Sequence, residues 1–191
     1  MMSQNFPKII AKLTGKPPIT VRWGKHVTPF GPVLAGLTEK GALCRLEFLK
    51  KRKAAAIVKK WQQAWPQTVF TQDRPLIAKM LGRIFPSKKK SALRSIKVKL
   101  VGTPFHHRVW KALLTIPAGK VTSYADIARR IKMPKAARAV GGAVGSNPVP
   151  ILVPCHRVIT SLGKLGGYGG GPAIKKVLLK AENVALRLLK R

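Results

Sequence analysis

The chain has 191 residues, of which 46% are hydrophobic, enough to bury a core in one domain or in two small ones. The chain contains 38 Lys and Arg residues but only 5 Asp and Glu residues, which gives a formal net charge of +33. Such an excess repels itself unless counter-charge is close, so it indicates a polyanionic partner: nucleic acid is the commonest, and an anionic membrane surface is the alternative. The sequence shows no long apolar span and no secretory signal.

The first half of the chain is predicted to be α+β. Residues 1–18 are basic and contain prolines, so we expect a loose leader there. Short extended runs, typical of an antiparallel meander, follow at 19–23, 31–37 and 41–48. Helical patterns are predicted over 51–64 and 73–84. The charged stretch 86–97 indicates a linker or, alternatively, a solvated helix.

The second half is predicted to be mostly helical. Thr103 and Pro104 supply an N-cap and a first-turn proline, and Ser123 with Asp126 resembles a capping box. Four helices are expected, over about 104–116, 123–131, 135–146 and 172–189.

Two of these helices, 123–131 and 135–146, are short and joined by a tight turn. In so basic a chain they indicate a helix-turn-helix, although an ordinary helical hairpin has the same pattern. The second is built mostly of alanine and glycine, with Arg138 as its one long cation among the small residues. A helix so bare permits close approach of a neighbour, which is either another helix or a nucleic-acid groove into which Arg138 reaches.

Residues 147–158 carry the most specific feature, a cysteine (Cys155) between a proline and a histidine. Positive charge from His156 and Arg157 is expected to favour the thiolate, the reactive form of the cysteine. The other cysteine, Cys44, lies in an alternating run and is expected to pack within a strand. Two cysteines make no disulfide framework, which favours a reducing, intracellular compartment. The two cysteines and the four histidines show no zinc-ligand spacing, so a zinc site is not expected.

Glu182 is one of only two acidic residues after position 73, and it falls well inside the last predicted helix. A buried carboxylate needs a partner, and His156 is the most informative candidate because such a pair orients the ring and raises its basicity. A surface ion pair with one of the many lysines is equally compatible with the sequence. Cys155 and His156 are consecutive and point apart in an extended segment, so proton transfer between them requires a turn or a bridging water, and a water is expected.

Several motifs together resemble the O6-alkylguanine-DNA alkyltransferase family. In family order they are Thr103-Pro104-Phe105, Val109-Trp110, Ile116-Pro117-x-Gly119, Val121-x-Ser123-Tyr124, Ala136-Ala137-Arg138-Ala139-Val140, Asn147-Pro148, Pro154-Cys155-His156-Arg157-Val158, Gly167-Tyr168 and Lys175-x-x-Leu178-Leu179-x-x-Glu182. The Pro-Cys-His-Arg-Val core is highly specific, whereas the N-terminal half resembles the family only weakly.

The resemblance implies an α+β fold in three parts. Residues 1–18 would be the leader, 19–97 an N-terminal ribonuclease-H-like α+β domain with its linker, and 98–191 a mostly helical domain with a winged-helix or helix-turn-helix DNA-binding unit. It also implies direct-reversal DNA repair. The alkyl group of O6-alkylguanine, or less often O4-alkylthymine, passes once to Cys155 and inactivates the protein.

The resemblance further implies roles for individual residues. Cys155 is the alkyl acceptor, His156 activates it through water with Glu182 behind it, and Asn147 is the hinge between the recognition helix and the active-site segment. Tyr124 assists nucleotide rotation and the departure of guanine, while Arg138 fills the stack when the base flips out. Contacts to DNA are expected from Arg138, Tyr124, Ser123, Ala137, Lys135 and Gly141. The substrate pocket is expected to be formed by Tyr168, Gly169, Val158 and Pro150.

The implied partner is double-stranded DNA containing O6-alkylguanine, with no cofactor, metal, membrane or obligate protein partner, and a monomeric, cytoplasmic protein (nucleoid-associated in a bacterium, nuclear in a eukaryote). Two alternatives remain. One is a non-enzymatic binder of alkylated DNA, against which the intact Cys155–His156 pair argues. The other is a helix-turn-helix regulator, which would need base-reading side chains that an Ala/Gly helix lacks.

Overall fold

The computed structural model describes residues 8–50, 53–85 and 95–185. These residues form two compact units, one up to Val101 and the other from Gly102 onward. The predicted domain boundary after residue 97 falls inside a strand, Ser95–Val101, so the division comes at the end of that strand instead. Helices and strands are both present in quantity, which makes the protein a mixed α+β structure.

The first unit is built on a six-stranded sheet with the order β1-β6-β4-β3-β2-β5. Its strands are β1 (Lys8–Thr14), β2 (Thr20–Thr28), β3 (Gly31–Thr38), β4 (Leu43–Phe48), β5 (Val69–Gln72) and β6 (Ser95–Val101). The predicted antiparallel meander is present as β2-β3-β4. Parallel strands flank it, since β5 pairs with β2 and β6 pairs with β4 and with β1.

Two helices, α1 (Ala54–Ala64) and α2 (Arg74–Ile84), cover the sheet. Trp23 packs against the α1 cluster that contains Ile57 and Trp61. The next residue, Gly24, lies against α2, where an added Cβ would come within 3.1 Å of the Arg74 Cα. Because successive strand residues point to opposite faces, the two helices lie on opposite sides of the sheet.

The expected loose leader over 1–18 is wrong for its described part. Residues 8–14 form β1, which pairs in parallel with β6 along its whole length. Its pairing partner lies more than eighty positions away in the sequence, and local pattern does not report such a pairing. The lysine-rich part of the predicted linker, and the first residues of the leader, lie outside the described residues.

The second unit contains four α-helices and a small parallel strand pair. The helices are α3 (Pro104–Leu114), α4 (Tyr124–Arg130), α5 (Ala137–Gly145) and α6 (Pro172–Ala181), and the strands are β7 (Thr122–Ser123) and β8 (Val158–Ile159). Trp110 links α3 to α5, since its Nε1 donates a 2.9 Å hydrogen bond to the carbonyl oxygen of Ala143 in α5. None of the described helices is long and apolar enough to cross a membrane.

The last helix is shorter than predicted. It ends at Ala181, and Asn183 follows with a φ of 60°, a left-handed conformation that stops the helix. The predicted extension to residue 189 is therefore wrong for the described residues, and the remaining positions lie outside them. Glu182 consequently sits at the C-cap of α6 rather than within the helix.

Candidate active site

Cys155 lies at the end of a buried segment that leaves α5 and begins a 3-10 turn, Cys155–Arg157. Only 6% of the cysteine is exposed. Earlier in the segment, the buried residue Ile151 has a φ of 74°. A left-handed β-branched residue is strained, at a cost on the order of 1–3 kcal/mol, and persists only where the surrounding structure holds it.

The Asn147 amide supplies part of that restraint. Its Nδ2 donates to the Val153 carbonyl oxygen at 2.8 Å, and its Oδ1 accepts from the Val149 backbone N–H at 3.0 Å. Both hydrogen bonds close the loop between α5 and Cys155. Asn147 therefore lies where the hinge prediction places it, between the small-residue helix and the cysteine segment.

The electrostatics of Cys155 differ from the expectation. Burial raises the pKa of its thiol to about 11, and this outweighs the lowering by a hydrogen bond with Asn147 and by the charge of Lys175. Arg157 does not supply the expected positive potential, because its guanidinium is directed at Glu182 instead. The resting side chain is therefore a thiol at neutral pH, and a base must take its proton during attack.

His156 and Glu182 form the carboxylate–imidazole pair that the sequence suggested. His156 is fully buried, and its Nε2 lies 2.9 Å from Glu182 Oε1. Burial lowers the pKa of His156 despite the neighbouring carboxylate, which leaves the ring neutral. With Nε2–H donating to the carboxylate, Nδ1 carries a free lone pair, and it has no hydrogen-bond partner among the described residues. This nitrogen can accept a proton.

Arg157 completes the arrangement around the carboxylate. Its Nε donates to Glu182 Oε2 at 2.9 Å and its Nη2 to Oε1 at 2.7 Å, while Nη1 donates to the Ile116 carbonyl oxygen. Burial raises the pKa of Glu182, but the hydrogen bonds and charges of His156 and Arg157 lower it more, to about 2. Glu182 is thus ionised and held in place by two neighbours.

Two tyrosines lie close to the cysteine. Tyr124, the first residue of α4, fits between α5 and the Gly-rich loop, residues 162–171. A Cβ on Gly141 would be 3.9 Å from the Tyr124 ring, and one on Gly166 would be 3.0 Å from its hydroxyl oxygen. Burial and the charge of Cys155 raise its pKa, so it stays a phenol and a proton donor. The Tyr168 ring meets the His156 ring edge to face, with centroids 6.4 Å apart.

Lys175 in α6 is a buried cation that belongs to the family motif, and the sequence predicts no role for it. It is fully buried, and its Nζ donates to the carbonyl oxygens of Val158 (2.6 Å), Leu165 and Gly167 (3.4 Å). Burial lowers its pKa to about 8, against a smaller raising effect of Cys155. A lysine near the start of a helix pattern gives no sequence signal for such burial, because most lysines are exposed.

Replacing Lys175 with methionine should destabilise the Gly-rich loop. Methionine keeps the apolar stem but leaves buried carbonyl oxygens without a donor, which costs about 2 kcal/mol of unfolding free energy. Urea unfolding and amide exchange in 162–171 measure this, with the exposed neighbour Lys176→Met as the control. Equal stability of the two variants would contradict a supporting role for the Lys175 ammonium.

The residues predicted to contact DNA divide into two groups. Arg138 and Lys135 are exposed, and the exposed face of α5 otherwise consists of Ala139, Gly142 and Gly145. Ala137 and Gly141 are half-buried beside this face. Ser123 instead caps α4, its Oγ accepting from the Asp126 N–H at 3.0 Å, so its hydroxyl is already engaged in the fold.

The four residues predicted to form the pocket differ in exposure. Val158 and Pro150 are buried in the core, and Gly169 is exposed, with open space around the position of an added Cβ. Tyr168 is half-buried, and its ring contacts the His156 ring. Their joint role in a substrate pocket stays a prediction from the family resemblance.

Together these features define a class of protein: an α+β chain in which one buried cysteine, backed by a His–Glu pair, shares a unit with a helix whose outer face is almost bare. A sequence profile described as "6-O-methylguanine DNA methyltransferase, DNA binding domain" matches residues 104–184. A Methanosarcina mazei methylated-DNA–protein-cysteine methyltransferase is 42% identical over 160 residues, 84% of this chain and 96% of that protein. The chain belongs to the methylated-DNA–protein-cysteine methyltransferase family.

Further relatives and solved structures agree with this membership. The corresponding Mycobacterium tuberculosis protein is 59% identical over 87 residues, 46% of this chain and 53% of that one. The crystal structure of Mycobacterium tuberculosis O6-methylguanine methyltransferase has a TM-score of 0.65 and 36% identity, and covers 85% of this chain and 92% of its own. Mycobacterium tuberculosis OGT in complex with DNA has a TM-score of 0.63 and 34% identity, over 90% and 99% of the two chains.

Proposed function

We propose that this protein repairs DNA by moving the alkyl group of O6-alkylguanine in duplex DNA, or less often of O4-alkylthymine, to its own Cys155, once per molecule. The observation that carries this proposal is the buried thiol beside a neutral histidine whose other nitrogen is bound to an ionised glutamate. Such a set can remove a thiol proton at the moment of attack without keeping a thiolate at rest.

Alkyl transfer couples the loss of the Cys155 proton to the departure of guanine. The Cys155 proton passes through a bridging water to His156 Nδ1, and the sulfur attacks the alkyl carbon in line with the C–O6 bond. The sulfur–carbon bond forms as the carbon–oxygen bond breaks, and that bond's electron pair stays with guanine. The phenol of Tyr124 protonates the departing base or stabilises it by hydrogen bonding, and solvent restores its proton. The carbon–sulfur bond of the resulting thioether is not broken again, so the protein acts once.

DNA is proposed to bind to the exposed face of α5, which carries mostly alanine and glycine. Alanine and glycine on this face allow a helix to enter a groove deeply, and the exposed Arg138 can occupy the space of a flipped base. Base-reading side chains are few on this face, so the regulator alternative gains no support from it. The position of Tyr124 between α5 and the Gly-rich loop supports a role in guiding the rotated nucleotide.

We also propose the finer fold assignments. A ribonuclease-H-like first unit is supported by the antiparallel β2-β3-β4 meander followed by a helix and a strand, β5, parallel to β2. A winged-helix variant of the helix-turn-helix is supported by α4 and α5 with the small β7–β8 pair beside them.

Stoichiometry tests the proposed function. A duplex with one O6-methylguanine labelled in the methyl group should transfer label to the protein until the protein is used up, and then stop. A plateau equal to the amount of active protein is expected. Label release that continues beyond one equivalent would contradict a self-inactivating transfer, and binding without any label transfer would favour the non-enzymatic binder.

Arg138→Ala separates base flipping from chemistry. We expect it to slow repair of an alkylated duplex by about 10- to 100-fold, because unstacking energy of a few kcal/mol is no longer offset. Reaction with free O6-benzylguanine, which needs no flipping, should keep its rate. Quenched time courses on both substrates measure the two transfer rates. The control is Arg130→Ala, which replaces another exposed arginine, in α4. Equal losses on both substrates would contradict the role.

A further inference from the structure

The edge of the sheet in the first unit carries a surface of four lysines, here called the β1–β6 lysine face. Lys8 and Lys12 lie on β1, and Lys97 and Lys99 lie on β6. The parallel register places Lys12 directly beside Lys99 and Lys97 beside Ile10. Paired residues share a face of the sheet, so all four side chains project from the same side.

Burial confirms which way this face points. Ile96, Val98 and Leu100 alternate with the two β6 lysines and are almost fully buried, at 3%, 1% and 0% exposed. Lys8, Lys12 and Lys97 are exposed and Lys99 is half-buried. Ile10, in the middle of the face, is 48% exposed. The face is therefore an outer surface with cations on two adjacent strands.

The lysines lack counter-charge within the described residues. Strands β1 and β6 contain no acidic residue, and none of the four lysines forms an ion pair in the part of the chain described. The carboxylate of Glu47, on neighbouring β4, accepts a 2.6 Å hydrogen bond from Trp61 Nε1. Like charges directly opposite on adjacent strands destabilise a sheet, so the arrangement gains stability when an external anion binds.

We propose that the β1–β6 lysine face binds the phosphate backbone of duplex DNA, as a sequence-independent contact separate from the alkyl-acceptor site. On β6, the Cα atoms of Lys97 and Lys99 are about 6.6–7 Å apart, whereas on β1 those of Lys8 and Lys12 are about 13 Å apart. Lys12 and Lys99, paired across the two strands, are about 4.8 Å apart. A flat array of point charges at this spacing suits a row of phosphates rather than a single small anion. The choice of DNA over other polyanions rests on the proposed function.

Salt dependence of binding tests this inference. A variant with Lys8, Lys12, Lys97 and Lys99 all changed to glutamine is compared with a control of equal net charge, in which the exposed helix residues Lys59, Lys60, Lys79 and Arg83 become glutamine. Binding to an undamaged 30-base-pair duplex is measured by fluorescence anisotropy over a range of salt concentrations. Thermal unfolding verifies that both variants fold.

We expect the lysine-face variant to lower the slope of log K against log salt by about 3–4, since each lost phosphate contact contributes about 0.9. The helix control should change the slope by less than about 1. Equal slopes for the two variants, or a loss confined to an RNA duplex, would overturn the inference.

The inference and the proposed function can fail separately. The lysine-face variant should react with free O6-benzylguanine at the wild-type rate, because that reaction needs no DNA. Wild-type protein that shows no transfer to Cys155 contradicts the proposed function, whereas an unchanged salt slope in a reactive variant contradicts only the lysine-face inference.

Discussion

Cys155→Ala should abolish alkyl transfer while leaving binding to O6-methylguanine duplex within about threefold of wild type. Alanine removes the sulfur next to the His156–Glu182 pair, and the sequence from Gly102 onward contains no other cysteine. The substitution removes one buried atom, so the expected loss of unfolding free energy is only about 1 kcal/mol. Label transfer from a methylated duplex and anisotropy on the same duplex measure the two properties.

Cys44→Ala is the matched control for this prediction. Cys44 is also buried, and its thiol donates to the Gly36 carbonyl oxygen at 3.3 Å. Burial raises its pKa to about 12, so it is inert at neutral pH. Cys44→Ala should transfer normally. Residual transfer in Cys155→Ala, or its loss in Cys44→Ala, would contradict the assignment of the acceptor.

Glu182→Gln should have the second largest effect, on both stability and rate. The substitution leaves Arg157, only 8% exposed, without a charged partner, and breaking a buried pair costs about 3–5 kcal/mol. It also removes the charge that stabilises a protonated His156 during attack. We expect transfer to free O6-benzylguanine to slow by about 100-fold, within the range of acid–base catalysis.

The pH dependence of stability gives an independent check on Glu182. Its folded pKa of about 2 is below its ordinary value of 4.5, so its contribution to unfolding free energy is fully present above pH 4.5. That contribution is lost as the pH falls from 4.5 toward 2. Glu182→Gln should therefore lose less stability than wild type across this interval in urea unfolding.

Asp126→Asn is the matched control, since it removes the same charge from an exposed helix cap. Hydrogen bonds from Ser123, with a smaller charge effect of Arg129, lower the pKa of Asp126. Replacing the Asp126 carboxylate removes only part of a capping box, so the expected loss of unfolding free energy is about 1 kcal/mol. The transfer rate should not change. A Glu182→Gln variant that matches Asp126→Asn in rate and stability would refute the positioning role of Glu182.

Much of the second unit follows from local sequence signals. Thr103-Pro104 and Ser123-x-x-Asp126 act as helix starts in the structure, because capping depends only on residues within one turn. The His156–Glu182 pairing was also foreseeable, since a nearly acid-free sequence left few carboxylates for a histidine beside a cysteine. The family resemblance adds to these signals and agrees with the relatives found.

Other features depend on distant parts of the chain and escaped prediction. The strand β1 forms because β6, far along the sequence, offers it a parallel partner. Arg157 is directed at Glu182, at the end of α6, because that carboxylate accepts hydrogen bonds from its Nε and Nη2. Lys175 is buried because three backbone carbonyl oxygens converge on its ammonium. Local periodicity carries no information about any of these contacts.

Mass spectrometry of the protein after reaction with a duplex carrying one O6-methylguanine tests the central claim most directly. Intact mass should rise by one methylene unit, and peptide mapping should place it on the fragment that contains Cys155. An unchanged mass despite selective binding to the damaged duplex, or a methyl group mapped to any other residue, would contradict the account.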